Sequence, residues 1–472
     1  MMNRRLFIQN FSLLTTGLVV SLNNEAFSQL QRGNTIKGRV TAGKKGLANV
    51  VVSDGYSVVL TDKKGNYKIK TDLKASSVWL STPAGYEFPA KASLASHYHL
   101  LGSRNEYNFD LKRLKKDDQQ HGFIIWADPQ VKNKKDVAQM METSVPDVQE
   151  LVASLGEDAL IHGIGVGDLV WDNHALFADY NAAVAQMNIP FFQALGNHDM
   201  DYRMGEDETS DRTFKEIYGP TYYSFNRGKA HYVVLDNVRY LGREREYDGF
   251  ISENQLAWLE KDLQQVSKDQ LLIINLHIPV YNSVKNNTDF YALLTGYKNV
   301  HIMSGHTHYN VNHVQNGIYE HNHGTVCGAW WTGPICSDGT PRGYGVYEVS
   351  GNELKWYYKS TGKDKKEQMS IYVDQLTNQT RVIANVWNWD PEWKVVYFLD
   401  DRSMGAMEQQ KGFDPLAVKL YLGNQLPLGR TFAEPQKVDH LFTAHFAPSV
   451  KKVSVLATDR FGNEYRMETL CS

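Results

Sequence analysis

The sequence has few cysteines, no excess of basic residues and no apolar run long enough to cross a bilayer. Its 50 Lys and Arg against 53 Asp and Glu give a formal net charge of -3. This balance removes the electrostatic basis for binding nucleic acid or an anionic membrane surface. At 472 residues, and with ~100–200 residues per domain, the chain is expected to form two or three domains.

The three cysteines are Cys327, Cys336 and Cys471. In an exported protein, Cys327 and Cys336 can close a short disulfide loop, and two buried free thiols are an equally good interpretation. Cys471 lies one residue from the end and is expected to be unpaired. The cysteines alone therefore do not define a disulfide-stabilised fold.

The N-terminus has the pattern of a secretory signal peptide over residues 1–28. Arg4 and Arg5 form a basic segment, residues 13–22 form an apolar stretch, and Ala-Phe-Ser at 26–28 provides a small-residue cleavage site. The apolar stretch is shorter than the ~20 residues that span a bilayer. The paired arginines also resemble a twin-arginine signal, and an amphipathic first helix is the alternative. We expect a periplasmic or secreted protein without a transmembrane segment after signal cleavage.

Sequence patterns divide the remaining chain into three stretches. Residues 35–113 and 370–472 alternate apolar and polar residues between short turns, which is typical of small antiparallel β-sandwiches. Residues 120–365 instead alternate apolar runs with helical patterns, one of which opens with a capping box of Ser252 and Gln255. This alternation predicts an α/β core flanked by N-terminal and C-terminal β-sandwich domains.

Side chains that can bind metals follow the apolar runs of the middle stretch. Because open α/β sheets bind ligands at the carboxyl ends of their strands, these side chains are expected to face one crevice. They are Asp128 in FIIWADPQ, Asp168 in VGDLVW, Asn197 and His198 in LGNHD, His277 in NLHIP, and His306 and His308 in SGHTH. Mixed Asp, Asn and His ligands suit Mn, Fe or Zn. Two ions ~3.5–4 Å apart use this number of ligands and can clamp the oxygens of a phosphoryl displacement.

Each residue taken alone has a simpler interpretation. Asp128 or Asp168 at a strand end is usually a turn former, and a lone His277 is more often a hydrogen-bonded, partly buried histidine than a ligand. His306 and His308 are stronger candidates because alternate residues of an extended segment point the same way. The simpler interpretations together require five coincidences in one order, so the combination favours a metal site.

This ordered set of motifs resembles the calcineurin-like metallophosphoesterase family over residues 121 to about 325. The flanking stretches are similar to the N- and C-terminal β-domains of exported bacterial members. The resemblance implies a core of two facing sheets flanked by helices, with a dimetal centre at one edge.

The resemblance also implies a role for each site residue. His198 is expected to be the general acid that protonates the leaving oxygen, while a hydroxide bridging the metals attacks phosphorus. The implied ligands are Asp128 and His308 for the first metal, Asp168 for both metals, and Asn197, His277 and His306 for the second metal.

Two positions depart from the family pattern. Two residues after Asp128, where the family usually has histidine, this chain has Gln130. An amide oxygen can still complete the shell of the first metal, shifting its preference toward Mn, Fe or Mg over Zn, or binding it more weakly. Many members place an acid that orients the catalytic histidine three residues after the bridging aspartate, and here that position is Trp171. Three alternatives follow for the group that orients His198. It is Asp172, it is a backbone carbonyl, or His198 has no orienting partner.

Three further residues are candidates for substrate binding. Trp330 and Arg342 lie in a segment rich in glycine and aromatics (321–346), and arginine suits a phosphate group because its donors form a fork. Packing of the tryptophans against the C-terminal domain is the alternative. Tyr202 lies on a polar loop after the GNHD motif, and loops over a site often set specificity.

We predict an exported dimetal phosphoesterase that hydrolyses phosphodiester or phosphomonoester bonds of a small-molecule or envelope substrate. Two divalent ions (Mn, Fe or Zn, with Mg as an alternative) are expected, and no specific nucleic-acid partner. The alternative is a degenerate member that binds an envelope glycan or a phosphate without turnover, but neither His198 nor Asp168 is lost. Trp387, Trp389 and Trp393 fit a glycan-binding surface or a sandwich core equally well.

Overall fold

The computed structural model describes residues 34–422 and 434–471. The predicted signal peptide, residues 1–28, lies outside the described residues. Within them, an α/β core stands between strand-rich N-terminal and C-terminal regions. None of the helices in these described ranges has the length and apolar character needed to cross a membrane.

The N-terminal region contains two small sheets. β1 alternates exposed and buried residues, as does β5, which is expected of a sheet with one face on its own core. The strands are β1 (Thr35–Ala42), β2 (Lys45–Gly46), β3 (Val51–Ser53), β4 (Val58–Leu60), β5 (Asn66–Lys70), β6 (Ser77–Leu80), β7 (Ala90–Lys91), β8 (Leu94–Ala95), β9 (Tyr98–Leu100) and β10 (Phe109–Asp110). In one sheet, β1 pairs with β10, β2 and β5, and in the other the order is β4-β3-β6-β9.

The core contains a seven-stranded and a six-stranded sheet. The strands of the core region are β11 (Gln120–Trp126), β12 (Ile161–Val166), β13 (Phe191–Ala194), β14 (Tyr223–Arg227), β15 (Ala230–Val234), β16 (Val238–Tyr240), β17 (Tyr247–Gly249), β18 (Leu271–Asn275), β19 (Asn299–Ser304), β20 (Val311–Gln315), β21 (Ile318–Asn322), β22 (Gly343–Ser350) and β23 (Glu353–Ser360). The seven-stranded order is β23-β22-β11-β12-β13-β8-β7 and the six-stranded order is β14-β15-β18-β19-β21-β20, while β16 and β17 form a separate hairpin.

The parallel strands of both sheets are apolar because they are buried on both faces. All residues of β12, β13 and β18 are buried, the pattern expected of a parallel sheet covered on both sides. The two sheets face each other through aromatic contacts, including Phe192 stacked on Phe225 at 3.8 Å between ring centroids. The predicted core of two facing sheets is therefore confirmed. β8 of the N-terminal region extends the seven-stranded sheet, with Leu94 opposite Phe191.

Helices connect the core strands. The longest, α6, begins after Ser252, whose side chain accepts a hydrogen bond from the Gln255 N–H, as the capping box predicts. The core helices are α1 (Lys134–Gln139), α2 (Val145–Ser154), α3 (Phe177–Gln186), α4 (Asp207–Ser210), α5 (Arg212–Tyr218), α6 (Glu253–Leu263), α7 (Val280–Ser283) and α8 (Asn287–Leu293). A π-helical turn (Met140–Ser144) and two 3₁₀ turns (His174–Leu176 and Asn197–Asp199) complete them.

The C-terminal region contains two four-stranded sheets. The elements are β24 (Met369–Gln375), β25 (Thr380–Val386), β26 (Lys394–Leu399), β27 (Arg402–Ala406), β28 (Glu408–Phe413), α9 (Pro415–Tyr421), β29 (Lys437–Phe446), β30 (Lys452–Thr458) and β31 (Glu464–Leu470). The sheet orders are β24-β25-β29-β28 and β27-β26-β30-β31. Their inner faces share one apolar cluster that includes Val382, Val386, Val453 and Val455, which makes this region a sandwich.

The loop 335–340 of the core is held by the C-terminal region. The fully buried Asp338 carboxylate accepts hydrogen bonds from the N–H groups of Asn310 (2.8 Å) and Thr340 (2.9 Å). From the C-terminal region, Asn385 Nδ2 donates to the Asp338 carbonyl (2.8 Å), and His440 Nε2 lies 3.5 Å from the Asp338 carboxylate. The loop is therefore a polar junction between the core and the C-terminal sandwich.

Asp338→Ala is expected to lower the free energy of unfolding by about 3 kcal/mol, because it leaves buried donors of Asn310 and Thr340 unpaired. Urea denaturation followed by tryptophan fluorescence measures the change. Asp269→Ala is the control, since this 68 % exposed carboxylate only pairs with a surface lysine and its loss should cost less than about 0.5 kcal/mol. Equal effects of the two variants would contradict a structural role for the buried junction.

Candidate metal centre and active site

Each predicted metal-site residue follows the carboxyl end of a parallel strand in one of the two sheets. Asp128 and Gln130 follow β11, Asp168 follows β12, Asn197 and His198 follow β13, His277 follows β18, and His306 and His308 follow β19. Since the sheets face each other, five strand ends meet at one edge of the core. The structure brings together all of these residues, and their roles as ligands remain predictions.

Several of these residues adopt a left-handed backbone conformation. The φ angles are +50° for Asp128, +40° for Gln130, +53° for Asp168, +70° for His306 and +62° for His308. A non-glycine residue pays roughly 1–2 kcal/mol for this conformation. Such strain clusters at functional sites, where the surrounding structure enforces it.

Two glycines allow the loops of the site to approach one another closely. A Cβ on Gly196 would lie 2.0 Å from the Asp168 amide nitrogen, and one on Gly305 would lie 2.5 Å from Asp128 Oδ2. No side chain fits at either distance. The glycines of the GNHD and GHTH motifs therefore have a steric function in packing the two aspartates.

One cluster of candidate ligands has lone pairs that converge on one point. It contains Asp168, Asn197, His277 and His306. The His277 Nδ1 atom lies 2.8 Å from the Val166 carbonyl oxygen. Because a carbonyl can only accept, this nitrogen carries a proton and the other nitrogen faces the cluster. His277 Nε2 lies 3.0 Å from Asn197 Oδ1, 3.1 Å from His306 Nδ1 and 3.3 Å from Asp168 Oδ1. One ligand atom each of Asp168, His277 and His306 lie within 4.8 Å of one another.

The electrostatics of this cluster favour a cation. Burial lowers the pKa of His277, but the charge and hydrogen bond of Asp168, the charge of Asp128 and the bond to the Val166 carbonyl together outweigh burial and raise the pKa to about 9. For Asp168, burial raises the pKa, and the charges of His277 and His198 more than reverse that effect, so the net shift is downward. The site between the imidazole and the carboxylate favours a positive charge, here a proton. Such a site also suits a divalent metal, so the residues fit the predicted ion.

Asp128, Gln130 and His308 form the neighbouring cluster. Asp128 Oδ1 and Gln130 Oε1 are buried and, within the described residues, have no hydrogen-bond partner, an arrangement that is costly without a cation. His308 Nε2 lies 3.5 Å from Asp128 Oδ1. Gln130 Nε2 donates to Asp168 Oδ2 at 2.7 Å, so the amide links the two clusters with its nitrogen and leaves its oxygen available. These ligand atoms fit the ion predicted as the first metal.

His198 is oriented by Asp172. His198 Nδ1 lies 2.8 Å from Asp172 Oδ1, and the imidazole stacks on Trp171 at 4.6 Å between ring centroids. Burial lowers the pKa of His198, but Asp168 and Asp172 outweigh it and the net shift is upward. Of the alternatives left open by the sequence, the structure supplies the carboxylate of Asp172, and it leaves Nε2 as the nitrogen that can act on a ligand.

Arg245 extends this arrangement. Its Nη2 atom lies 2.5 Å from Asp172 Oδ2, and its guanidinium carbon lies 5.7 Å from the centre of the Tyr202 ring. The Tyr202 hydroxyl donates to the Asn197 carbonyl oxygen. The structure thus places Tyr202, predicted to bind substrate, as a support of Asn197.

Of the other two predicted substrate residues, the structure places Trp330 at the site and Arg342 against Trp331. The Trp330 ring lies 4.6 Å from the His308 ring and 5.8 Å from the Trp171 ring, so it flanks both the metal cluster and the residue beside His198. Arg342 is half-buried and its guanidinium lies 5.8 Å from the Trp331 ring. Substrate binding by Trp330, Arg342 and Tyr202 remains a prediction.

Nearby, the segment that carries Trp330 also contains the cysteines. Cys327 and Cys336 are buried free thiols, which agrees with one of the two interpretations of the sequence. Trp331 Nε1 donates to the Pro129 carbonyl at 2.7 Å, and it therefore fixes the loop that presents Asp128 and Gln130.

Two residues that hold the loops of the candidate ligands were not predicted from the sequence. Asp199 Oδ1 accepts from the Leu169 N–H (2.9 Å), and Oδ2 accepts from the Gly196 N–H (2.9 Å), so this carboxylate ties the Asp168 loop to the Asn197 loop. Asn237 Oδ1 accepts from the His277 N–H (3.2 Å). Asp199 is the final acid of the GNHD motif, so the sequence could have indicated its role. No sequence motif indicates the role of Asn237.

Sequence reasoning also missed Tyr247. Its ring meets the His306 ring edge-on, with centroids 5.9 Å apart and an interplanar angle of 83°. Burial, followed by the charges of Asp168 and Asp128, raises the pKa of Tyr247 to about 12. Its place at the site depends on the β16–β17 hairpin, and no local motif predicts it.

The C-terminal region reaches this site through the loop 335–340. The backbone N–H and Oγ of Ser337 donate to the His308 carbonyl oxygen at 3.2 and 2.9 Å. The Gln436 N–H donates to the Ser337 carbonyl at 2.9 Å. One residue of the core therefore joins the C-terminal sandwich to a predicted metal ligand.

Comparison with protein-family models gives three consecutive matches along the chain. Residues 34–114 match the N terminal of calcineurin-like phosphoesterase, residues 121–310 match calcineurin-like phosphoesterase, and residues 320–465 match the C terminal of calcineurin-like phosphoesterase. The chain belongs to the calcineurin-like phosphoesterase family. The predicted family and fold class are confirmed, and the family is metal-dependent.

Solved structures of phosphatases show a distant likeness to this calcineurin-like phosphoesterase. A dimetal phosphatase from Danio rerio is 14% identical, with a TM-score of 0.38, over 51% of this chain and 97% of that chain. A purple acid phosphatase from yellow lupin seeds is 14% identical, with a TM-score of 0.38, over 66% of this chain and 67% of that chain. No curated protein matches the chain significantly. The assignment to the family therefore rests on the family models.

Asp172→Asn tests the orientation of His198 in this phosphoesterase. The amide keeps the shape of the carboxylate but loses its charge. Changes to such supporting groups typically lower activity 10–100-fold. We expect kcat for phosphoester hydrolysis to fall by about that factor while the metal content stays unchanged. The control is Asp179→Asn, a carboxylate of α3 that pairs with Lys134. Wild-type kcat in Asp172→Asn would show that Asp172 does not orient His198.

Proposed function

We propose that the protein is an exported dimetal phosphoesterase that hydrolyses a phosphodiester or phosphomonoester of a small-molecule or envelope substrate. One observation carries this proposal: two clusters of buried acceptor atoms share the Asp168 carboxylate, and an oriented His198 lies beside them. The proposal of export, to the periplasm or beyond, rests on the N-terminal sequence pattern alone.

The chain offers ligands of mixed type for two divalent ions, Mn, Fe or Zn, with Mg as an alternative. When bound, such ions supply Lewis-acid activation of water and of phosphoryl oxygens. Asp168 is the proposed shared ligand. The first ion is assigned to Asp128, Gln130 and His308, and the second ion to Asn197, His277 and His306.

The protein's own residues handle the leaving group. Asp172 holds Nδ1 of His198 at 2.8 Å, so Nε2 is free to deliver a proton to the departing oxygen. The backbone N–H of His198 donates to Asp168 Oδ1 at 2.8 Å, which fixes the acid relative to the shared carboxylate. Stacking on Trp171 at 4.6 Å further restricts the ring.

A protein that only binds a glycan or a phosphate does not require an oriented acid. Here His198 pairs with Asp172, and Asp172 also contacts Arg245. These contacts favour turnover over binding alone.

The test is a hydrolysis panel of monoesters and diesters, using the metal-stripped full chain reloaded with Mn, Fe, Zn or Mg. We expect two ions per chain and hydrolysis of at least one ester class. Asp168→Asn should abolish turnover and reduce metal content, because a charge shared by both ions is lost. The matched control is Asp364→Asn at an exposed carboxylate. At most one ion per wild-type chain at saturation contradicts the dimetal assignment, and a loaded chain without hydrolysis contradicts the enzyme.

His198→Ala separates acid catalysis from metal binding. General acid help is worth typically ~10²–10⁴-fold, and less when the leaving group is a weak base. The variant should keep both ions, lose most of its activity on an alkyl diester, and lose much less on an activated aryl diester. Comparing kcat/KM for the two substrates in wild type and variant measures this difference. A parallel loss on both substrates would remove His198 as the acid.

A further inference from the structure

The β16–β17 hairpin, residues 238–249, reaches the candidate metal centre from outside the two main sheets. Tyr240 and Tyr247 are cross-strand partners in it. The Tyr240 N–H donates to Asp207 Oδ1 at 2.7 Å, and the Tyr240 hydroxyl accepts from the Arg203 N–H at 2.9 Å. On the other strand, the Lys285 N–H donates to the Gly249 carbonyl at 2.8 Å. Both strands are anchored, so the hairpin holds its side chains in fixed positions.

Tyr247 projects from this hairpin to the metal cluster. Its half-buried ring packs edge-on against His306, with centroids 5.9 Å apart. Within the described ranges 34–422 and 434–471, no side chain or backbone group shares a hydrogen bond with that hydroxyl. The neighbouring Tyr202 differs, because its hydroxyl is committed to the Asn197 carbonyl.

A half-buried tyrosine that packs against a proposed metal ligand stands at the edge of the crevice. A phosphoryl group in this crevice carries negatively charged oxygens other than the leaving one, and these oxygens are stabilised by fixed donors. His198 serves the leaving oxygen from its own side of the cluster. Tyr247 approaches from the His306 side and offers a neutral O–H donor, whose hydrogen bond to a charged oxygen is stronger than one between neutral groups.

We propose that the Tyr247 hydroxyl donates a hydrogen bond to a non-bridging phosphoryl oxygen, which makes Tyr247 a phosphate-binding residue of this site. This assignment rests on the proposed phosphoesterase function. It gives the hairpin two tasks, since Arg245, two residues earlier, pairs with the Asp172 carboxylate that orients His198.

Tyr247→Phe in the metal-loaded full chain tests the assignment, with inorganic phosphate as the probe. Removing one hydrogen bond to a charged oxygen should weaken phosphate binding about 10- to 100-fold. Isothermal titration calorimetry measures the phosphate affinity, and metal content should stay at the wild-type value. Tyr240→Phe is the matched control, because it removes a hydroxyl from the opposite strand of the same hairpin. It should keep phosphate affinity within about threefold, because its hydroxyl bonds only backbone groups of Arg203 and Glu244, and the anchors at the Tyr240 N–H and the Gly249 carbonyl remain.

Two results would overturn the assignment: unchanged phosphate affinity in Tyr247→Phe, or equal losses in both phenylalanine variants, which would indicate a disturbed hairpin. Calorimetry needs no turnover, so the outcome is separable from the proposed activity. A wild-type chain that binds phosphate through Tyr247 but hydrolyses no ester would overturn the phosphoesterase function alone.

Discussion

Two carboxylates buried at the junction of the sheets set the requirements for the rest of the site. Asp128 and Asp168 are 0% and 1% exposed, and a buried carboxylate is tolerated only with donors or positive charge around it. The chain supplies backbone N–H groups from His198 and His306 and the amide of Gln130. The left-handed loops and the glycines beside them follow from bringing these donors within hydrogen-bond distance. Asp128 Oδ1 and Gln130 Oε1, which remain unpaired among the described residues, fit the metal dependence of the family.

Much of this site could be predicted from the sequence because each ligand is encoded locally. An apolar run followed by Asp128, Asp168 or His277 identifies both a buried strand and a polar strand end, and parallel strands place such ends at one edge. The partner of His198 could not be chosen in the same way. Whether Asp172 or a carbonyl reaches the imidazole depends on the loop conformation, in which Asp172 has φ +53°, and no short motif specifies that angle.

Contacts between distant segments account for what the sequence did not reveal. Tyr247 reaches His306 only because β16 and β17 pair outside the main sheets. The C-terminal stretch was predicted as a flanking sandwich, yet Gln436 binds Ser337, and Ser337 binds the His308 carbonyl. Periodicity identifies a sandwich but carries no information about which loop of another region it holds, since that depends on packing between complete surfaces.

In the proposed metal centre, the ligands come from five strand ends, and this distribution determines when an ion can be captured. The unfolded chain presents neighbouring residues such as His306 and His308, but Asp168, the proposed shared carboxylate, comes from the other sheet. Because metal affinity that requires the folded arrangement is coupled to folding, tight capture follows docking of the two sheets. For the proposed exported enzyme, the ion content of the compartment where folding finishes would therefore decide which metals the protein acquires, and transport after folding would carry that choice with it.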